Sequence, residues 1–391
     1  MTLYLNDIGV VGPLGVGKAE VLAKLLAGDG SGVEPFEGLL TGRTTMVGRV
    51  RADLAALPVE LADLDCRNNR LLARALDEIR EPVAALRDTL GSDRIAVVLG
   101  TSTSGIAAGE EAAATLAREG RMPAHYHYRQ QEIGTAAEFA ARYLALTGYR
   151  YTISTACSSS AKAFASAARL LDAGRCDAAI VGGVDSLCLL TLNGFDALES
   201  LAPDRCNPFS ANRRGINIGE GACVFVVSRR PGPIRLAGVG ESSDGYHISA
   251  PDPSGRGAEV AIRAALAHAG AAPSDVGYVN LHGTATPKND EMESEVMARV
   301  FGLDVPCSST KSLLGHTLGA AGAQELGLCW LLLSAANVGR QLPAHGWDGV
   351  RDAKLPPINL VGDAAQWERD LFVSNSFAFG GSNAAIAIGR A

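Results

Sequence analysis

The chain carries the same order of events twice, and that internal echo constrains its fold more than any other feature. A β-rich run at 95–99 leads through Gly100-Thr101-Ser102-Thr103 into a helical stretch. A second run at 277–281 leads through His282 and Gly283-Thr284-Ala285-Thr286 into another. Cys157 opens a small-residue helix in the first half, and His316 precedes a similar one in the second. Late in each half come a Gly-Gly pair (Gly182-Gly183, Gly380-Gly381) and a last strand. A duplicated α/β unit follows, with a site where its two copies meet.

Short β-rich runs alternate with helical stretches along the chain, which predicts an α/β protein with largely parallel sheets. Strands are expected at 5–11, 94–99, 151–155, 178–181, 222–227, 234–239, 277–281, 371–374 and 384–388. Helices are expected at 18–27, 69–87, 107–118, 158–172, 257–269, 291–301 and 320–337. The only internal boundary is Ser228-Arg229-Arg230-Pro231-Gly232-Pro233. It divides the chain into 1–230, with the cysteine, and 231–391, with the histidines.

At 391 residues, 47% hydrophobic and 20% charged, the chain can bury a sizeable core and is not disordered as a whole. Its net charge of −7 argues against a nucleic-acid binder, which needs a basic face. The first residues lack the basic and apolar regions of a signal peptide. The longest strongly apolar run, 326–336, is too short for ~30 Å of hydrocarbon, so no membrane insertion is expected. The chain reads as soluble and cytoplasmic. None of its eight cysteines forms a C-x-x-C pair, and most sit in apolar strings as reduced, buried small hydrophobes.

Cys157 stands apart. In Thr155-Ala156-Cys157-Ser158-Ser159 a strand turns into a helix, placing the thiol where unpaired N–H groups and the positive dipole end favour an anion. Such a position lowers a thiol's pKa and allows thiolate chemistry near neutral pH. Alone, this placement separates a nucleophile from a buried thiol only weakly. His282 and His316, each beside glycines that let a substrate approach, add the missing chemistry. His125, His127, His247, His268 and His345 read as ordinary structural histidines.

Taken together, these motifs resemble those of the β-ketoacyl-acyl-carrier-protein synthases, the condensing enzymes of the thiolase superfamily. The resemblance rests on Thr155–Ser159, on His282-Gly283-Thr284-Ala285-Thr286, on Lys311-Ser312-Leu313-Leu314-Gly315-His316, and on Asn375-Ser376-Phe377-Ala378-Phe379-Gly380-Gly381-Ser382-Asn383. It implies a five-layer αβαβα sandwich of two pseudo-duplicated halves, usually dimeric. It implies a decarboxylative Claisen condensation of an acyl-enzyme with a malonyl carrier, giving 3-oxoacyl-carrier protein and CO2. Cys157 would accept the acyl group, and His282 and His316 would hydrogen-bond the malonyl thioester oxygen.

The same resemblance makes Lys311 and Glu325 a supporting charged pair around His316. The N–H groups of Cys157 and Phe379 become an oxyanion hole, with Phe379 also a gate. Thr284 and Thr286 would hydrogen-bond the phosphopantetheine arm that an acyl carrier protein supplies, Phe377 and Gly380 would join them in binding substrate, and no cofactor or metal would be bound. The partners implied are that carrier and a dimer mate, identical or a related synthase-like subunit.

Some positions depart from the family pattern. Ser210-Ala211-Asn212-Arg213-Arg214-Gly215 stands where Asp-x-x-Arg-Asp-Gly is common, and Ala378 stands where glycine is common beside the gate. These departures point to a specialised branch, such as polyene pigment or polyketide synthesis. Three other readings remain: a catalytically dead chain-length factor, which usually lacks the cysteine; a thiolase, for which Cys307 lacks the second motif; and a zinc site on Cys157, His282 and His316. Residues 102–108 and 191–195 are expected to contribute to the acyl pocket. Arg67, Arg70 and Arg74 recur on one helical face and form a candidate docking patch for an acidic carrier.

Overall fold

A computed structural model describes residues 2–40 and 42–391. The five main strands of the first half are Leu3–Gly12, Ile95–Gly100, Arg150–Ile153, Ala178–Asp185 and Gly221–Ser228. Those of the second half are Ile234–Ser243, Val276–Asn280, Cys307–Ser308, Leu371–Ala378 and Ser382–Arg390. Counted along the chain, both sets take the spatial order first, fifth, fourth, second, third. The pairing directions match as well. The second strand is parallel to the third and fourth in each set. The fifth is antiparallel to the first and fourth. The echo seen in the sequence is therefore a repeated topology. The two first strands join the halves through Leu3↔Leu236 and Leu5↔Ile234.

Each half has a mixed sheet, not the largely parallel one expected. In the second half the reason is loop length. Only Phe379–Gly381 separates Leu371–Ala378 from Ser382–Arg390, and three residues close a hairpin but cannot make a parallel crossover.

Side-chain alternation assigns the layers. Ala96 and Val98 face one core, which also holds Phe164 and Leu171 of helix Ser159–Asp172 and Leu326, Leu328 and Trp330 of helix Ala321–Leu333. Val97 and Leu99 face the opposite way, against Leu72, Leu76 and Phe139. In the second half Val279 and Val373 pack against Ile262, Met292 and Val296. Helix, sheet, paired central helices, sheet, helix: this is the five-layer α/β sandwich.

The helix Ala321–Leu333 is buried at every residue, its two polar side chains included: Gln324 donates to the Val11 carbonyl and Glu325 pairs with Lys311. The helix expected at 69–87 is two, Arg67–Asp77 and Arg80–Leu90, broken at Ile79 with φ −115° and ψ 9°. Helices Thr135–Tyr143 and Leu189–Ala197 and the hairpin of Val33–Leu40 with Arg43–Gly48 were not expected. Among the described residues no helix is long and apolar enough to cross a membrane.

The central helices touch through small residues. A Cβ added to Gly322 would lie 2.8 Å from Ala161 Cβ and 2.9 Å from its nitrogen. Gly322→Val should therefore separate the halves and cost about 1–3 kcal/mol in chemical denaturation; unchanged stability would show that this contact does not set the spacing.

Candidate active site

The serines around Cys157 build the turn that presents it. Ala156 adopts φ 51°, a left-handed conformation rare outside glycine, and so reverses the chain before helix Ser159–Asp172. Ser159 Oγ accepts from the Thr155 N–H at 2.8 Å and donates to the Ala156 carbonyl at 2.6 Å. Ser158 Oγ donates to the Thr155 carbonyl at 2.9 Å. Ser160 Oγ accepts the Ala323 N–H at 2.9 Å, fastening this turn to the central helix of the other half.

His282 follows strand Val276–Asn280. Glu293 accepts its backbone N–H at 2.8 Å and that of Gly283 at 2.7 Å. His316 sits between Gly315, at φ 70°, and the helix from Ala321. Its N–H donates to the Asn217 carbonyl at 2.6 Å, and its carbonyl accepts from Gly219 N–H at 2.8 Å. The first half thus grips a histidine of the second.

These turns bring together what lies far apart in sequence. His316 Nε2 is 2.9 Å from Cys157 Sγ. The sulfur of Cys157 and one ring nitrogen each of His282 and His316 all lie within 4.8 Å of one another. The imidazoles stand edge to face, centroids 5.4 Å apart. They line a cavity of 260 Å³ with Thr284, Thr286, Phe377 and Phe379. Thr284 and Thr286 share a hydroxyl contact of 2.9 Å. Phe379 packs on Phe195, centroids 5.4 Å apart, so residue 195 belongs to the site. Residues 105, 107 and 108 line a separate cavity instead.

Several expectations need correction. The thiol is not acidified: burial pushes Cys157 up to about 12, against the pull of Lys311 and of the Phe379 and Cys157 N–H groups. A turn sealed from water costs a thiolate more than the helix end returns. Lys311 and Glu325, buried together, form an ion pair, but the Lys311 ammonium donates to the carbonyl of His282, not to His316. Burial raises Glu325 to about 7, while Lys311 pulls it down. Gly380 does not line the cavity; it makes the turn behind Phe379 at φ 80°. Ala378, where glycine is common, closes its strand at φ −101°, ψ 155°, an extended conformation open to any residue.

The arginine run is also different from a free basic patch. Arg67 pairs with the fully buried carboxylate of Glu220, Arg70 with Asp65 and Arg74 with Glu78. Charges cancelled at contact project little field. In the Ser210 loop, Asp348 supplies the acid the sequence lacks, accepting from Ser210 Oγ at 2.8 Å and Asn212 Nδ2 at 2.7 Å. Arg213 binds Asp352 at 2.6 Å and Glu291 at 3.1 Å. No contact explains Arg214. Cys307 is buried at the sheet edge, donating to the Asn359 carbonyl, and Cys157 is the cysteine on the cavity wall.

A family model described as the β-ketoacyl synthase N-terminal domain matches residues 58–231, and the corresponding C-terminal domain matches 234–345. Nodulation protein E of Rhizobium leguminosarum bv. trifolii is 31% identical, over 98% of each chain. The 3-oxoacyl-[acyl-carrier-protein] synthase 2 of Coxiella burnetii is 29% identical, over 99% of this chain and 98% of its own. Among solved structures, the ketosynthase ApeO in complex with its chain length factor ApeC, from Xenorhabdus doucetiae, superposes with a TM-score of 0.96. It is 46% identical, covering 100% of this chain and 98% of that one.

Burial, then the charge of Lys311, hold both imidazoles well below 6.5; His282 feels His316 as well. Both rings should stay neutral in ¹⁵N NMR spectra from pH 8 to 6, and a midpoint near 6.5 for either would contradict this environment. The unfolded chain binds these protons below about pH 6.5 and the folded chain does not, so stability should fall as pH drops through that value.

Proposed function

The chain belongs to the β-ketoacyl synthase family and is a condensing acyltransferase of acyl-chain elongation; on that premise we propose how its residues divide the reaction. Cys157 Sγ attacks an acyl-carrier thioester while His316 Nε2 takes the thiol proton and returns it to the departing pantetheine thiol. The Cys157 and Phe379 N–H groups, which favour negative charge at this point, steady the oxyanion. A malonyl-carrier thioester then replaces the free carrier. Neutral His282 and His316 donate to its thioester oxygen as CO2 leaves, and the enolate attacks the acyl-cysteine carbonyl. The new C–C bond forms, the C–S bond to Cys157 breaks, the released thiolate takes up one proton from solvent by way of His316, and 3-oxoacyl-carrier departs.

The observation that carries this reading is the 2.9 Å approach of His316 Nε2 to Cys157 Sγ beside His282 in one cavity. It disfavours a dead chain-length factor, which has no use for a nucleophile. A thiolase would need a second cysteine at the cavity. We assign the division of labour to residues 1–230, which hold the nucleophile, and 231–391, which hold the histidines. Lys311, with Glu325 behind it, is a positioning residue for His282, and Thr284, Thr286 and Phe377 line the path of the phosphopantetheine arm. No metal is assigned to the thiol and imidazoles, because acyl transfer needs the sulfur free.

We place the chain in a specialised polyene or polyketide branch, paired with a related, non-identical subunit. The 46% identity to a ketosynthase held by its chain length factor supports this. The molecule has a face for such a mate. Strand Arg150–Ile153 ends the large sheet with its outer edge unpaired among the described residues. Helix Ile106–Glu119 buries only Ala112, and Leu189 and Leu190, whose N–H groups donate to its Glu110, are exposed. Arg70 and Arg74 remain candidates for carrier contact only if an incoming acid displaces Asp65 or Glu78.

Incubation with acyl-carrier substrate should place one acyl group on Cys157, read by peptide mass spectrometry, and Cys157→Ala should abolish both adduct and condensation. An adduct on Cys307, or stoichiometric zinc on the three side chains, would overturn the assignment.

A further inference from the structure

Among the described residues, Lys288 is the one permanently charged side chain on the wall of the catalytic cavity. It is exposed at the rim, as the second residue of helix Pro287–Phe301. A cation at the positive end of a helix is unfavourable unless an anion compensates it. None does so here. The first-turn acid Asp290 is buried and accepts from the Phe209 and Ala285 N–H groups at 2.7 and 3.2 Å. Glu291 pairs with Arg213. Among the described residues Lys288 has no carboxylate within the 4.0 Å of an ion pair. Lys288 and Pro251 also belong to an adjoining groove of 680 Å³, where Lys354, likewise without such a partner, sits on the wall. Glu291 and Glu295 line that groove as well, so the charge left without a counter-ion at the mouth of the catalytic cavity itself is that of Lys288.

From this we infer that Lys288 is the anchor for the phosphodiester of the substrate's pantetheine arm, an inference that rests on the carrier-thioester reading of the cavity. Depth gives the order. Cys157 is on the floor at 5% exposure, Thr284 is buried at 6%, Thr286 is half-buried, and Lys288 is in solvent. A pantetheine arm has the same order: thioester at the tip, amides along the stem, and phosphate at the root. The malonyl carboxylate, the other anion of the reaction, reacts at the histidines on the floor, away from the rim. A lysine at the rim pairs with phosphate as a mobile point charge, which suits an arm that must enter and leave in every cycle.

The test compares malonyl-pantetheine, which has no phosphate, with malonyl-phosphopantetheine and with the malonyl carrier, in wild type, Lys288→Ala and Lys288→Arg. In Lys288→Ala the KM advantage of phosphopantetheine over pantetheine should shrink about tenfold. Lys288→Arg should keep most of it. Salt should erode that advantage in wild type and much less in Lys288→Ala. Equal losses on both small substrates would overturn the inference in favour of a structural role or contact with the malonyl carboxylate. No loss on either would overturn it outright. A loss confined to the carrier would move Lys288 to protein docking and equally defeat it. Wild type that turns over none of the three would instead refute the condensing reading.

Discussion

The site depends on one buried cation. Lys311, at 1% exposure, bonds the carbonyl of His282 and pairs with Glu325 inside the central layer. Taking an ammonium and a carboxylate out of water is expensive, and apolar replacements often serve stability as well or better. What the pair does here is chemical. It fixes the backbone behind one imidazole, and its charge joins burial in keeping both rings neutral. Neutral rings can donate a hydrogen bond to a developing oxyanion and also accept a proton from the thiol.

That arrangement exists only because two copies of one topology meet. The nucleophile comes from the turn before one central helix, and the second histidine from the turn before the other. Ser160 of the first half holds the Ala323 N–H of the second, and Asn217 and Gly219 of the first hold His316. Asp185 completes the junction, accepting from Ser102 and Thr103 in its own half and from Ala320 across it. The catalytic distances are thus set by the interface between halves, where small residues permit close approach.

Much of this was legible in the sequence, for identifiable reasons. Cys157, His282 and His316 announce themselves through glycines and serines that only tight, crowded turns require. The repeat showed in the order of strands and Gly-rich turns. Less visible were features created by partners remote in the chain. The high thiol pKa comes from burial by both halves, which no local window around Cys157 contains. Arg67 looked like surface charge because its partner Glu220 lies 153 residues away. Asp348 stands in for an acid missing at 210, and the Phe195 stack on the gate pairs residues from separate halves. Glu293, which holds the His282 turn, lay in a segment that read simply as helix.

The central claim is that decarboxylation belongs to the histidines and acyl acceptance to Cys157. Release of labelled CO2 from malonyl carrier tests it most directly, measured in Cys157→Gln, whose side-chain carbonyl occupies the place of an acyl thioester, and in Cys157→Gln with His282→Ala. The account predicts continued CO2 release without condensation in the first, and release reduced by about 10²–10³-fold in the second. Folded Cys157→Gln protein that releases no CO2, or a double variant as active as the single one, would contradict it.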